Sequence, residues 1–162
     1  MAHLRLIPLL LLTLWLLAGC NRSDHSIITI NDESFEMELA LDDAARAQGM
    51  SGRTEFPDQG GMLFVFPDAR QRWFWMKDCL IDMDLIFLDA RGIVVSMHEM
   101  TVEPPRRDDE TQHEYEDRLK RYRSGRPAQF AVELEAGSIR RLGVRVNDRV
   151  ELELERLKAM AQ

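Results

Sequence analysis

The sequence predicts a mainly β fold, a compact antiparallel β-sandwich or barrel with two or three short helices. Three observations lead to this prediction. Apolar and polar residues alternate over several short segments, which is typical of strands with one buried face. These segments are separated by turn signals and not by regularly recurring helices. The regular alternation of strand and helix that is typical of a parallel sheet is therefore missing. The roughly seven strands counted in this way favour a sandwich or a barrel.

Three strands are predicted in the first half of the chain. Residues 35–41 alternate with the period of a half-buried strand. Residues 62–66 are continuously apolar and Pro67 follows them, so we predict a buried strand that stops at the proline. Residues 72–77 are aromatic and strand-like. In such a strand one face would carry Trp73, Trp75 and Lys77, and the other would carry Phe74, Met76 and Asp78.

Two segments carry helix signals. Residues 42–48 begin with an aspartate that can cap a helix N-terminus, and Gly49 lies near the end of the segment. Residues 136–142 form a second helical segment, which Gly143 ends. The sequence therefore predicts one short helix before the strand at residues 62–66 and another near the C-terminus.

The second half contains a hairpin and two further predicted strands. Residues 85–88 and 93–97 are apolar segments joined by a turn at residues 89–92. Residues 130–134 and 150–154 alternate between apolar side chains and alanine or glutamate. We predict that both are strands with one solvent-exposed face.

Residues 104–124 interrupt the strand pattern. Two prolines open the segment, and residues 106–123 are dense in charges of both signs. Tyr115, Leu119 and Tyr122 recur at helical spacing, which predicts a solvated helix with a narrow apolar stripe. Because the charges are mixed, we interpret the segment as an insertion over the domain surface rather than as a nucleic-acid contact.

The N-terminal residues have the pattern of a lipoprotein export signal. A short basic start precedes an apolar run at residues 6–18, and residues 17–20 read Leu-Ala-Gly-Cys. The run is shorter than the ~20 residues that span a membrane. We therefore predict a signal peptide at residues 1–19, a lipid-bearing Cys20 as the mature N-terminus, and a tether over residues 20–27.

The remaining residues, 28–157, are predicted to form a single β-rich domain. The lipid on Cys20 would hold this domain at the cell envelope, facing the periplasm. Asn21, which stands where an aspartate would favour the inner membrane, favours the outer membrane in a diderm bacterium. The formal charge of −7 at pH 7, without a basic stripe, argues against nucleic acid as a partner. The lipid would then be the only membrane contact.

Several blocks of the sequence resemble the domain of unknown function 192 family. Residues 60–66 read Gly-Gly-Met-Leu-Phe-Val-Phe, and residues 74–78 read Phe-Trp-Met-Lys-Asp. Further similarity lies in residues 46–53, 84–89 and 133–137, so that the resemblance covers about residues 28–154. It implies a small, sandwich-like β fold that is often exported or lipid-anchored. It supplies no activity, no cofactor and no catalytic residues.

A group of polar and aromatic residues beside the apolar strands is the candidate binding site. It consists of Arg53, Trp75, Lys77, Asp78 and Asp84. Trp75 would offer a flat face, while Arg53 and Lys77 would donate hydrogen bonds to an acidic or polyhydroxylated ligand. The two aspartates would accept hydrogen bonds or orient the cations. In the alternative interpretation, the charged residues pair to attach loops and the tryptophans belong to the core.

Two other chemistries remain open. Met97, His98 and Met100, with methionines of nearby strands, would suit Cu(I), although methionine is also a common core residue. His98 with Cys79 or Ser96 could form the nucleophile–base pair of an enzyme. Cys79 has no disulfide partner once Cys20 carries lipid, so it is either reactive or, as we favour, buried and inert.

The sequence contains no recognised catalytic signature and predicts no cofactor. Our leading hypothesis is a non-catalytic envelope module that binds a small polar ligand, a glycan or a partner protein. An enzyme that acts on cell-envelope material through the same pocket is the alternative. A copper-handling protein is the third possibility.

Overall fold

The structure, a computed structural model, describes residues 25–162. Its eight strands are β1 (His25–Ile30), β2 (Glu33–Ala40), β3 (Gly60–Arg70), β4 (Trp73–Phe74), β5 (Met83–Leu88), β6 (Val94–Met100), β7 (Tyr122–Arg123) and β8 (Ala128–Glu135). Its four helices are α1 (Asp43–Gln48), α2 (Gln112–Arg118), α3 (Ser138–Leu142) and α4 (Leu154–Met160). Six strands form one sheet in the order β1-β2-β3-β8-β5-β6, and β4 pairs with β7.

The prediction of a mainly β fold with short helices is confirmed, with one refinement of the topology. Neighbouring strands of the large sheet are antiparallel except β2 and β3, which run parallel because the chain crosses over through α1. Within residues 25–162 the edge strands of the sheet, β1 and β6, do not pair with each other, so the sheet does not close into a barrel.

Both faces of the central strands are buried, and alternate residues enter two apolar clusters. Leu63 and Val65 of β3 belong to the cluster covered by α3 and α4, which we name the α4 face. Met62, Phe64 and Phe66 belong to the opposite cluster, which we name the α1 face because α1 and its following loop cover it. A sheet covered on both sides positions side chains of β8 and β5 deep inside the domain.

The predicted exposed face of residues 130–134 is wrong. These residues lie in β8, which stands between β3 and β5 in the middle of the sheet. Ala131 and Glu133, which alternation had assigned to solvent, are 0 % and 4 % exposed. The local pattern could not reveal this burial because it depends on strand order.

One predicted strand boundary and one predicted strand are also wrong. β3 continues beyond Pro67, with a register shift between Val65 and Arg70 that accommodates a residue lacking an N–H. Residues 150–154 do not form a strand: Glu151 makes an isolated bridge to Thr29, and α4 then begins. The residues of α4 are mostly strong helix formers, which outweighed the short alternation before them.

The charged insertion contains a shorter and less solvated helix than predicted. Thr111 caps α2 and exchanges reciprocal hydrogen bonds with Glu114. Tyr115 of α2 is buried, whereas Tyr122 leaves the helical path and enters β7. The insertion is therefore attached to the domain through apolar contacts, although its outer surface is charged.

Within residues 25–162 no helix has the length and apolar character needed to cross a membrane. The predicted signal peptide, Cys20 and the first part of the tether lie outside the described residues.

Candidate functional site

A cleft of about 640 Å³ lies between α1 and the segment at residues 73–78. Its lining combines aromatic rings with a polar rim, which is typical of small-molecule sites of this volume. The rings are Phe66, Trp73, Phe74 and Trp75, and the polar rim includes Asp43, Gln48, Ser51, Lys77 and Asp78.

The aromatic wall is fixed by β4. Phe74 packs into the core of the α1 face, edge-on to Phe64 at 4.8 Å and to Phe87 at 5.4 Å between ring centroids. Trp73 and Trp75 contact each other with centroids 5.4 Å apart, and Trp73 is half exposed. The predicted strand is only two residues long here, yet the predicted alternation of faces holds at these three positions.

Two cations stack on the tryptophans. The Arg121 guanidinium lies 4.3 Å from the ring centroid of Trp75 and 5.0 Å from that of Trp73. The Lys77 Nζ lies 5.4 Å from the Trp75 ring and forms a 2.5 Å ion pair with Glu116 of α2. Because Lys77 already has an anionic partner, it is a weaker donor to a ligand than the sequence suggested.

Asp78 ends the aromatic segment in a left-handed backbone conformation, with φ of +55°. Its N–H donates to the Tyr115 hydroxyl at 3.0 Å, and that hydroxyl donates to Asp78 Oδ1 at 3.2 Å. The Gly52 N–H donates to the Asp78 carbonyl at 2.8 Å. The charged insertion therefore supports one wall of the cleft, a role that its sequence did not reveal.

The opposite wall, α1, is anchored by Arg46. Its Nη1 donates to the carbonyls of Leu41 at 2.6 Å and Val65 at 2.9 Å. Its Nη2 donates to Asp43 at 2.6 Å and to the Gln162 carbonyl at 2.7 Å. These acceptors use the guanidinium donors, so Arg46 shapes the cleft rather than offering a charge to it.

The structure brings together three of the five predicted site residues. Trp75, Lys77 and Asp78 line the cleft. Arg53 lies in the adjacent loop, where its guanidinium forms a bidentate pair with Glu38 at 2.6 and 2.7 Å. This hydrogen-bonded pair raises the pKa of Arg53 and lowers that of Glu38. Arg53 thus attaches its loop to β2.

Asp84 lies on the other face of the sheet. Its neighbours Met83 and Leu85 belong to the α1 face, so alternation turns Asp84 towards the α4 face. It is 1 % exposed, and its Oδ2 accepts a 2.7 Å hydrogen bond from the Ile139 N–H in α3. Burial raises its pKa. Asp84 caps a helix and is separated from the cleft by the sheet.

Glu133 is a candidate residue that sequence reasoning missed. It extends from the α1 face of β8 into a chamber of about 40 Å³ and is only 4 % exposed. Gln48, Phe74 and Trp75 line both this chamber and the cleft. Within residues 25–162, Glu133 Oε2 has no hydrogen-bond partner. Burial raises the pKa of Glu133 to about 8, against the lowering effect of the Arg53 charge.

Comparison with known proteins identifies the family of this chain. Residues 26–152 match DUF192, a family described as uncharacterized ACR. The chain belongs to the DUF192 family. This confirms the resemblance seen in the sequence. No curated protein matches the chain.

Two solved structures are similar to this DUF192 protein. A protein from Sinorhizobium meliloti 1021, described as a candidate transcription regulator, is 30 % identical with a TM-score of 0.62; the match covers 80 % of this chain and 92 % of that one. A protein of unknown function from Novosphingobium aromaticivorans DSM 12444 is 25 % identical with a TM-score of 0.63; the match covers 78 % and 83 % of the two chains. These likenesses support the fold and leave the function open.

The Cys79 thiol of this DUF192 protein borders the same chamber as Glu133. Burial raises its pKa to about 12, and the nearby Glu133 carboxyl contributes to this rise. The thiol is therefore protonated at neutral pH and lacks the thiolate that a nucleophile needs. The geometry supports the interpretation that Cys79 is buried and inert.

The residues of the copper hypothesis serve packing roles in this DUF192 protein. A His98 ring nitrogen lies 2.8 Å from the Arg123 carbonyl, and the ring packs between Phe87 and Tyr122. The methionines divide between the two faces of the sheet. Met97 packs on the α4 face, and Met62, Met76, Met83 and Met100 lie in the core of the α1 face.

Proposed function

We propose that this DUF192 protein is an envelope lipoprotein whose cleft binds a neutral, polyhydroxylated ligand such as one or two sugar rings of a glycan. The observation that carries the proposal is an aromatic cleft whose cations already have protein partners. The exposed indole of Trp73 and the neighbouring Trp75 offer apolar surfaces to a sugar ring. Gln48, Ser51 and Asp78 supply hydrogen-bonding groups at the rim.

Charge favours a neutral ligand over an anionic one. Arg46 forms an ion pair with Asp43 and Lys77 forms one with Glu116, so neither provides an unpaired positive charge. Asp78 adds negative charge to the lining, whereas the charge of Asp43 is balanced by Arg46. A carboxylate or phosphate group would be repelled by the Asp78 carboxylate, to which sugar hydroxyls can donate. Arg121, a further cation at the tryptophans, is stacked on their rings and hydrogen-bonded to the carbonyls of Leu119 and Glu116.

Direct binding measurements test the cleft. We expect isothermal titration of neutral disaccharides and longer neutral oligosaccharides to detect binding by at least one sugar. Trp75→Ala should raise its Kd at least tenfold, equivalent to about 1.4 kcal/mol, because the flat surface is lost. Trp75→Phe is the matched control, since it keeps an aromatic face and should retain most of the affinity. Equal affinities in wild type and Trp75→Ala would contradict the proposed site.

The envelope location rests on residues 1–20, which have the sequence of a lipoprotein signal. We expect labelled palmitate to be incorporated into the wild-type chain and its label to be lost in Cys20→Ser, with release of the protein from the membrane fraction. Cys79→Ser is the matched control and should keep the label. Unchanged labelling in Cys20→Ser would contradict the lipid anchor.

An enzyme that acts on the same class of ligand is a second candidate. The observation in its favour is Glu133, a carboxyl that stays protonated near neutral pH beside an aromatic cleft, as general acids do. An assay for new reducing ends tests whether the protein cleaves a bound oligosaccharide. Cleavage by the wild type that is abolished in Glu133→Gln would favour the enzyme over the binding module.

A further inference from the structure

Glu133 is a buried carboxyl on the α1 face. It stands on a central strand, and its Oε2 is buried without a hydrogen-bond partner in the described part of the chain. Buried polar groups in proteins are almost always hydrogen-bonded, because an unpaired one costs folding free energy. A carboxyl kept in this position therefore indicates a partner that comes from outside the protein.

The chamber around Glu133 has room for such a partner. Its volume of about 40 Å³ exceeds the 10–15 Å³ that one water molecule needs. Gly49 helps to keep this space open: a Cβ there would lie 3.3 Å from the Phe64 ring and 3.9 Å from Glu133 Oε2. The space fits a group of two or three non-hydrogen atoms but not a ring.

The chamber adjoins the cleft, with which it shares lining residues. Both spaces are lined by Ala47 and Gln48 of α1 and by Phe74 and Trp75 of the aromatic wall. A ring stacked against Trp75 would therefore lie close enough to direct a short substituent between these two walls.

We propose that this chamber is a subsite for the hydroxymethyl group of a sugar bound in the cleft, with the Glu133 carboxyl hydrogen-bonded to its hydroxyl. The inference rests on the proposed function and adds a specificity-determining residue to it. A protonated carboxyl both donates and accepts, so it complements a hydroxyl, which also does both.

Burial favours a neutral carboxyl and a neutral guest, against the charge of Arg53. Three ionisable groups from the elements packed against Glu133 face this region. Arg46 of α1 is hydrogen-bonded to carbonyls, Arg53 of the next loop is paired with Glu38, and the Cys79 thiol after the aromatic segment is protonated. Because burial raises the pKa of Glu133 to about 8, the carboxyl keeps its proton in neutral solution.

The test uses pairs of sugars that differ only in this hydroxyl. Methyl glycosides of glucose, galactose and N-acetylglucosamine, each with its 6-deoxy counterpart, are titrated calorimetrically into the full chain at pH 7. We expect at least one pair to show a Kd at least tenfold higher for the 6-deoxy sugar. Glu133→Met should reduce this preference below twofold, whereas Glu133→Gln, which keeps a donor and an acceptor, should preserve part of it.

A second measurement uses pH. Wild-type affinity for the preferred sugar should change between pH 7 and pH 9 as the carboxyl loses its proton, and the affinity of Glu133→Gln should not. Thermal unfolding of both variants checks that they fold.

Binding with equal affinity for both members of each sugar pair, or an unchanged preference in Glu133→Met, would overturn the subsite while leaving the cleft intact. Absence of binding by every glycoside and oligosaccharide would overturn the proposed function itself.

Discussion

Replacing Glu133 with glutamine is expected to remove a steep pH dependence from the stability of the protein. Burial raises the pKa of this carboxyl from 4.5 to about 8 in the folded state. Between these values the folded protein holds a proton that the unfolded chain has released. The contribution of Glu133 to the free energy of unfolding is therefore fully present below pH 4.5. It is lost as the pH rises to about 8, at about 1.4 kcal/mol per pH unit.

Urea unfolding from pH 4 to pH 9 measures this effect. The free energy of unfolding of Glu133→Gln should exceed that of the wild type by an amount that grows across the interval and then levels off. Other groups titrate equally in both proteins, and the Cys79 thiol, with a pKa of about 12, does not titrate in this range. Parallel stability curves would show that the Glu133 carboxyl is ionised in the folded protein, contrary to this account.

Replacing Gly61 with alanine is expected to prevent normal folding. A Cβ at this position would lie 2.2 Å from the backbone carbonyl oxygen of Glu133 and 2.9 Å from the Met37 Cε. The methionine can move, but the carbonyl belongs to β8, which is paired with β3. Separating these strands would break the middle of the sheet, so we expect a loss of more than about 3 kcal/mol, measured by chemical unfolding.

Gly52→Ala is the matched control for this prediction. Gly52 has φ of +76°, but a Cβ there meets nothing within 4 Å. Alanine should therefore cost only the backbone strain of the left-handed conformation, about 1–2 kcal/mol. Similar stabilities of the two variants would contradict the close approach of β3 and β8 at Gly61.

The sequence predicted the elements whose signals are local. Asp42 caps α1 as expected, with its side chain accepting a hydrogen bond from the Ala45 N–H at 2.8 Å. The hairpin of β5 and β6 and the short helix before Gly143 were also predicted. Each depends on residues a few positions apart, so alternation, capping and turn chemistry were sufficient.

The site was predicted only in part, because its key features depend on distant pairings. The aromatic segment and Asp78 were found from their composition, but the support of Asp78 by Tyr115 joins residues that are 37 positions apart. Glu133 looked solvent-exposed because its alternating strand gives no information on which strands lie beside it. Asp84, six residues from Asp78, was grouped with it by sequence proximity although the sheet separates the two.

Tryptophan fluorescence tests the central claim, sugar binding in the aromatic cleft, most directly. The chain has three tryptophans, and in a full chain carrying Trp15→Phe the two that remain, Trp73 and Trp75, both line the cleft. Titration with the oligosaccharide that binds in calorimetry should shift or quench their emission in a saturable manner, with the calorimetric Kd. Saturable calorimetric binding with an unchanged emission spectrum would place the sugar elsewhere and contradict the claim.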